Sequence, residues 1–316
     1  MSKVSIIGAG FVGSTVAHWA MIAGGCQIVL VDVVDGLAKG KVLDLIQAGP
    51  IAGHAIDAIG TTDMAETANS DIVIITAGIA RKPGMTREDL VSINAGIVSG
   101  VVKEVAKYSP NCVIIMMTNP LDTMTYLAYK LSGFARERVI GQAGVLDGGR
   151  MRTFIAMETG LNPQDIHTTV MGGHGDEMVP LVRYSTIAGI PLTYFLTEQQ
   201  IGRIVARTRD GGAEIVRFLK TGSAYYAPGA SACRMAQAII KDSHEIYPAS
   251  IYLQGEYGMT DICFGVPVML GCKGVERIIE LELNQEERAA LGRSADLIRG
   301  TMAALPSLTQ EASHAS

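Results

Sequence analysis

The stretch that most limits what this chain can become is Gly8-Ala9-Gly10-Phe11-Val12-Gly13. A short apolar run, Val4 to Ile7, leads into it, and a helical pattern, Ser14 to Ala23, leads out. A second apolar run, Ile28 to Val31, then ends in Asp32. Strand, glycine turn, helix, strand and acid in that order form the dinucleotide-binding arrangement of a βαβ unit. Gly8 permits the sharp turn, Gly10 lets a pyrophosphate approach the backbone, and Gly13 lets the helix pack closely on the sheet. The free N–H groups of the helix N-terminus and their partial positive charge suit phosphates. Asp32 can accept two hydrogen bonds from a ribose diol and would repel a 2′-phosphate, which favours NAD over NADP.

The alternation continues. Helical patterns at Asp35 to Gln47, Val91 to Tyr108 and Thr123 to Leu131 separate strands at Asp71 to Thr76, Cys112 to Met117 and Arg138 to Gly141. These elements predict an α/β fold: an N-terminal doubly wound parallel sheet of about six strands over residues 1–141. Ligands gather at the carboxyl ends of strands in such sheets, which draws attention to the loops starting at Gly78, Asn119 and Gly141. After Gln142 the alternation lapses, so residues 142–316 are expected to form an α+β catalytic domain. In it, the run Ala143 to Arg150 leads into a helix through Thr159, and further helices are expected at Thr197 to Leu219, Ser231 to Lys241 and Asn284 to Leu305. A strand is expected at Ile166 to Met171 and an antiparallel pair at Tyr247 to Leu253 and Cys263 to Leu270. The arginines of the Thr197 helix read as a solvated face.

Several polar residues stand out. His174 sits in Gly172-Gly173-His174-Gly175, a sequence suited to a tight loop from which an imidazole can face a cleft. Histidine is the side chain best matched to moving a proton near neutral pH. Asp147 and Arg150 are three apart and share one helical face. They could be an intrahelical ion pair, or Asp147 could hold a histidine while Arg150 grips a carboxylate. The loop Ile79 to Arg87 turns at Pro83-Gly84 and has the length of a lid; Lys82 reads as a solvated charge, whereas Arg81 and Arg87 suit an anionic substrate. Asn119, directly after a strand, could orient a carbonyl or serve as a turn residue.

Composition excludes other classes. The net charge is −5 and no basic run could track a phosphate backbone, so nucleic acid is not an expected partner. No apolar stretch reaches the length of a membrane span, and the first strand leaves no room for a signal peptide. The five cysteines (26, 112, 233, 263 and 272) form no C-x-x-C pair. They are expected to be buried free thiols in a cytoplasmic protein without a metal site. With 48% hydrophobic residues, subunit interfaces are one explanation and a generous core another. The apolar residues Val42, Leu43, Leu45 and Ile46 leave the same choice open.

From Ser5 to about Leu305 the chain resembles the lactate/malate dehydrogenase superfamily, within it the lactate-dehydrogenase-like malate dehydrogenases. The motifs that carry the resemblance are G-A-G-F-V-G, A-R-K-P-G-M-T-R, T-N-P-L-D, L-D-G-G-R and G-G-H-G-D-E-M-V-P, in the family's order. The resemblance implies an NAD-dependent malate dehydrogenase acting on a small dicarboxylate and forming dimers or tetramers. It implies that His174 is the general acid/base and Asp147 its partner. Arg150 then binds the substrate's C1 carboxylate, Arg87 polarises the carbonyl, and Asn119 positions the reacting hydroxyl or nicotinamide. Cofactor contacts fall to Gly8, Gly10, Gly13, Asp32, Asn94 and Asn119, with a cis peptide at Asn119-Pro120. The resemblance places Arg81 where the family distinguishes side groups of 2-oxo acids. Lactate-specific members carry an uncharged amide there and commonly Glu at the position of Gly173. Two readings stay open beside malate oxidation: another 2-hydroxy-acid dehydrogenase, lactate foremost, and a nucleotide-binding protein that has kept the fold without the reaction.

Overall fold

The computed structural model describes residues 1–80, 84–176 and 178–305. The chain begins β1 (Ser2–Ile7), α1 (Phe11–Ala23), β2 (Cys26–Val31), α2 (Leu37–Ala52), β3 (Ala58–Thr61), β4 (Ile72–Ile75), α3 (Arg87–Tyr108), β5 (Val113–Met116), α4 (Leu121–Ser132) and β6 (Val139–Gly141). These six strands pair in parallel in the order β3-β2-β1-β4-β5-β6. With helices packed on both faces, a central strand must be apolar throughout: all four residues of Ile72–Ile75 are buried. Strand β3, Ala58–Thr61, is half-buried along its length and carries no such apolar run. It lies at the sheet edge, where the hydrophobic signal is weakest.

The second half runs α5 (Gly144–Thr159), β7 (Ile166–His167), β8 (Val170–Gly172), β9 (Met178–Pro180), β10 (Thr186–Ile187), β11 (Ile190–Pro191), α6 (Glu198–Leu219), α7 (Tyr226–Ile240), β12 (Glu245–Gln254), β13 (Thr260–Gly271), β14 (Gly274–Ile278) and α8 (Gln285–Met302). The strand expected at Ile166 to Met171 is two strands. β7 joins a small sheet with β10 and β11, whereas β8 pairs with β9 and β13. The helix expected from Ser231 starts at Tyr226, because Pro228 falls in its first turn, where a missing N–H costs nothing. The antiparallel pair β12/β13 forms as expected. Of the five thiols, Cys272 is exposed rather than buried, on the turn between β13 and β14.

The two halves share one sheet. Ser250 of β12 pairs with Gly141 of β6, extending the parallel sheet with antiparallel strands. The approach is close at this junction: a Cβ on Gly141 would lie 2.8 Å from the Ser250 Cβ and 2.5 Å from Thr125 Oγ1. The carboxyl ends of β4, β5 and β6 therefore open directly toward the loop between β8 and β9, which carries His174. No described helix is long and apolar enough to cross a membrane.

Candidate active site

The glycine turn between β1 and α1 has the expected construction. Gly8 has φ +106°, and a Cβ there would lie 2.6 Å from Thr76 Oγ1. A Cβ on Gly13 would sit 1.8 Å from the Gly8 carbonyl oxygen, which no side chain permits. Around Gly10 there is open space within 4 Å. Asp32 stands at the end of β2, its Oδ2 accepting from the Ala9 N–H at 2.6 Å and its Oδ1 from Val34 N–H at 2.9 Å. The turn thus offers a bare backbone, a helix N-terminus and a carboxylate within one short reach, a donor set that fits a dinucleotide. Sequence reasoning missed Lys41 of α2, whose ammonium donates to Ala9 O at 2.6 Å and Ser14 Oγ at 3.0 Å and braces this turn.

Asn94 of α3 is fully buried, and its amide is committed to backbone. Its Oδ1 accepts from Ile79 N–H at 2.8 Å, and its Nδ2 donates to Ile79 O at 3.1 Å and Asn119 O at 2.7 Å. It therefore joins the loops after β4 and β5. Any effect on a cofactor passes through Ile79 and Asn119, not through its own amide. The Asn119-Pro120 peptide is cis.

The titratable residues converge as the second half folds over these strand ends. Asp147 lies in the first turn of α5 and is 2% exposed; the His174 side chain is 14% exposed. A carboxylate can only accept, so His174 Nδ1–H donates to Asp147 Oδ2, at 2.9 Å. That fixes the tautomer and leaves Nε2 for the cleft. Asp147 Oδ1 accepts from Arg150 Nη1–H at 3.1 Å. The ion pair with Arg150 and the hold on a histidine are thus both present, one on each carboxylate oxygen. Burial lowers the His174 pKa, but the charge of Asp147 and its hydrogen bond outweigh that, so the imidazole titrates above its ordinary value.

Glycines shape this loop. His174 N–H donates to Asp122 Oδ2 at 2.9 Å, and Gly173 N–H to Ser294 Oγ of α8 at 2.9 Å. A Cβ on Gly265 of β13 would lie 2.3 Å from the Gly172 carbonyl, so the strand can pass the loop only without a side chain. On α6, Gly211 and Gly212 give the Arg150 side chain its bed: Cβ atoms there would lie 3.1 Å from its Cδ and 3.4 Å from its Nη2.

Two adjoining clefts meet at Asn119, Leu121, His174, Gly175 and Asp176. One, about 330 Å³, is lined also by Gln142, Arg150 and Arg209. The other, about 220 Å³, reaches Arg87 and Leu90 at the start of α3. Asn119 and His174 therefore stand between the two clefts, with Arg150 lining one, Arg87 the other, and Asp147 behind the imidazole. Arg81 lies outside the described residues. A larger cleft of about 940 Å³ lies at the opposite, amino ends of the strands, lined by Asp71, Pro110, Arg138, Cys272 and Lys273 among others. The residues suited to proton transfer and anion binding gather at the smaller pair, which is where a parallel sheet presents ligands.

Arg209 is the clearest correction to the sequence reading. The other α6 arginines do face outward: Arg203, Arg207 and Arg217 pair with Glu158, Glu214 and Asp210. Arg209 instead lines the cleft, and its Nε donates to Met178 O at 3.2 Å. Its signal in the sequence is the stripe Arg209, Gly212, Ala213, Val216, at i, i+3, i+4 and i+7, an arginine on a small, apolar face.

This geometry agrees with comparisons to known proteins. Residues 2–141 match the lactate/malate dehydrogenase NAD binding domain, and residues 144–305 the lactate/malate dehydrogenase alpha/beta C-terminal domain. The malate dehydrogenase of Roseiflexus castenholzii is 56% identical over 96% of this chain and 98% of its own length. That of Anoxybacillus flavithermus is 54% identical over 96% and 98%. Among solved structures, Cryptosporidium parvum malate dehydrogenase superposes with a TM-score of 0.94 at 42% identity, covering 97% of this chain and 99% of that one. The lactate dehydrogenase of the same organism, complexed with lactic acid and nicotinamide adenine dinucleotide, gives 0.93 at 40% identity over 96% and 98%. With both halves matched and the identity sustained along nearly its whole length, the chain belongs to the lactate/malate dehydrogenase family.

Proposed function

We infer that this chain is an NAD-dependent malate dehydrogenase that interconverts (S)-malate and oxaloacetate. The observation that carries the reading is the Asp147–His174 couple standing with Asn119 where two adjoining clefts meet, one lined by Arg150 and the other by Arg87. The bound nicotinamide supplies the hydride acceptor for malate oxidation and the donor for the reverse. His174 Nε2 takes the hydroxyl proton in oxidation and returns it in reduction. Asp147 stabilises the imidazolium and holds its tautomer. Arg150 binds the C1 carboxylate in a two-pronged pair, each charge-assisted bond contributing about 1.5–3 kcal/mol. Arg87 stabilises negative charge on the carbonyl oxygen; loss of such a donor raises a barrier by about 3–4 kcal/mol. Asn119 positions the reacting group. Gly8, Gly10, Gly13 and Asp32 hold the cofactor's pyrophosphate and ribose.

Arg81 supplies the choice of substrate, a reading that stands on the sequence motif alone. A second carboxylate gives its guanidinium a partner. Pyruvate offers only a methyl group, and an enclosed charge without a partner costs roughly 3–5 kcal/mol. That corresponds to about two to three orders of magnitude in rate. Comparing oxaloacetate and pyruvate reduction, with NADH and then NADPH, tests the proposal. Equal rates with both oxo acids would transfer the chain to the lactate reading.

The enzyme is a homodimer or homotetramer in this reading. Val42 of α2 is buried, but Leu43, Ile46 and Ile51 are exposed along the same helix, in keeping with an apolar interface. Five free thiols support a cytoplasmic location. Mass measurement in solution at micromolar concentration tests the assembly, and a monomer there would remove it.

A further inference from the structure

Asp122 has no part in the chemistry described so far, yet it is a carboxylate only 4% exposed. It lies in the first turn of α4. Its Oδ2 accepts from the backbone N–H of His174 at 2.9 Å, and its Oδ1 from the hydroxyl of Ser250 at 2.7 Å. Ser250 is itself fully buried and is the β12 residue that pairs with β6. One side chain thus links the helix following Asn119, the loop of His174 and the strand that joins the two halves. A neutral acceptor could make one of these links without the cost of burying an ion. Burial does push the Asp122 carboxyl up, and the Ser250 and His174 hydrogen bonds oppose that rise.

A charge at this position adds a field at the imidazole. Asp147 and Arg150 face His174 from α5, Arg87 from the start of α3, Arg209 from α6, Asp176 from its own loop and Asp122 from α4. On His174, Asp122 acts in the same sense as Asp147 and against Arg150.

We propose that Asp122, seated by Ser250, is a positioning residue for proton transfer: it fixes the backbone of His174 and, as a second negative charge, favours the imidazolium. The proposal rests on His174 being the proton donor and deepens that reading. Asp122→Asn removes the charge and keeps the shape. Ser250→Ala removes the donor that helps keep Asp122 ionised.

In both variants, loss of negative charge should lower the midpoint of the pH dependence of kcat/KM for oxaloacetate reduction, further in Asp122→Asn. In Asp122→Asn, kcat should fall about tenfold or more at a pH above the lowered midpoint, since each unit of pKa is a factor of ten in the imidazolium population, while KM for NADH stays unchanged. Folded Asp122→Asn with a wild-type midpoint and kcat would overturn the proposal, even if its Tm had dropped. If Asp122→Asn does not fold, Ser250→Ala decides: a lowered midpoint supports the proposal and an unmoved one overturns it. The titration of the His174 ring, followed by NMR without substrate, reads the same coupling independently of turnover. Full turnover in His174→Asn would defeat the underlying reading of His174, and the ring titration keeps that failure distinct.

Discussion

Asp147 and His174, 27 residues apart in the chain, meet at 2.9 Å between carboxylate Oδ2 and imidazole Nδ1. Replacing His174 by Asn removes the proposed proton carrier while leaving the β1–α1 turn untouched. Turnover of oxaloacetate with NADH should fall by about 10²–10⁴-fold, the range a positioned acid/base supplies. NADH affinity, followed by fluorescence titration, should stay within a factor of a few. Activity near wild type would show that some other group moves the proton.

The same contact sets a pH dependence. With His174 as the proposed proton carrier, reduction of oxaloacetate needs the imidazolium and malate oxidation the neutral ring. Burial lowers the His174 pKa, but the charge and hydrogen bond of Asp147 outweigh it and hold it above the ordinary imidazole value, so reduction should decline at a higher pH than a free imidazole would give. Oxidation should rise over the same interval. Asp147→Asn should shift both midpoints to lower pH, because it removes the charge that favours the imidazolium. Steady-state kcat/KM in both directions between about pH 5 and 10 checks the sign; an upward shift would contradict it.

Arg81→Gln replaces a guanidinium by an amide. The ratio of pyruvate to oxaloacetate reduction should rise, by up to about two to three orders of magnitude if the wild-type penalty is that of an unpaired enclosed charge. Paired assays on one enzyme preparation measure it. An unchanged ratio would show that Arg81 does not read the substrate.

Asp32→Ser removes the carboxylate at the end of β2. NADPH should then become a usable cofactor, with the NADPH/NADH ratio of kcat/KM rising by about tenfold or more through lost charge repulsion. If NADPH remains as poor as before, another group excludes the 2′-phosphate.

Gly13→Ala would place a methyl 1.8 Å from the Gly8 carbonyl. The helix must move off the sheet, so the variant should lose thermal stability and NADH affinity together. A Tm and a Kd both at wild-type values would mean that the turn yields more easily than this packing allows.

The first half was legible because its strands are buried on both faces, so runs such as Ile72–Ile75 announce themselves, and because the glycine turn has one reading in that setting. Asp147, Arg150 and His174 were legible one at a time, but whether Asp147 served the arginine or the histidine was not. Spacing along a helix says nothing about the carboxylate's other oxygen, and the structure uses both. Arg209 was lost among neighbouring surface arginines, since a helical face is assigned only by what packs against it. The edge strand Ala58–Thr61 and the two- and three-residue strands β7 to β11 are too short or too mixed to carry a hydrophobic period. Ser250 and Ser294, which support the His174 loop from 76 and 120 residues away, belong to contacts that no local pattern encodes.

The backbone pairing between Gly141 and Ser250 has a mechanical consequence. Opening the halves like a pair of jaws would break this pairing and the close packing of Gly141 on Ser250. The same stitching couples the fate of the halves on heating. The chain should melt in one calorimetric transition, without an interval in which the nucleotide half survives alone.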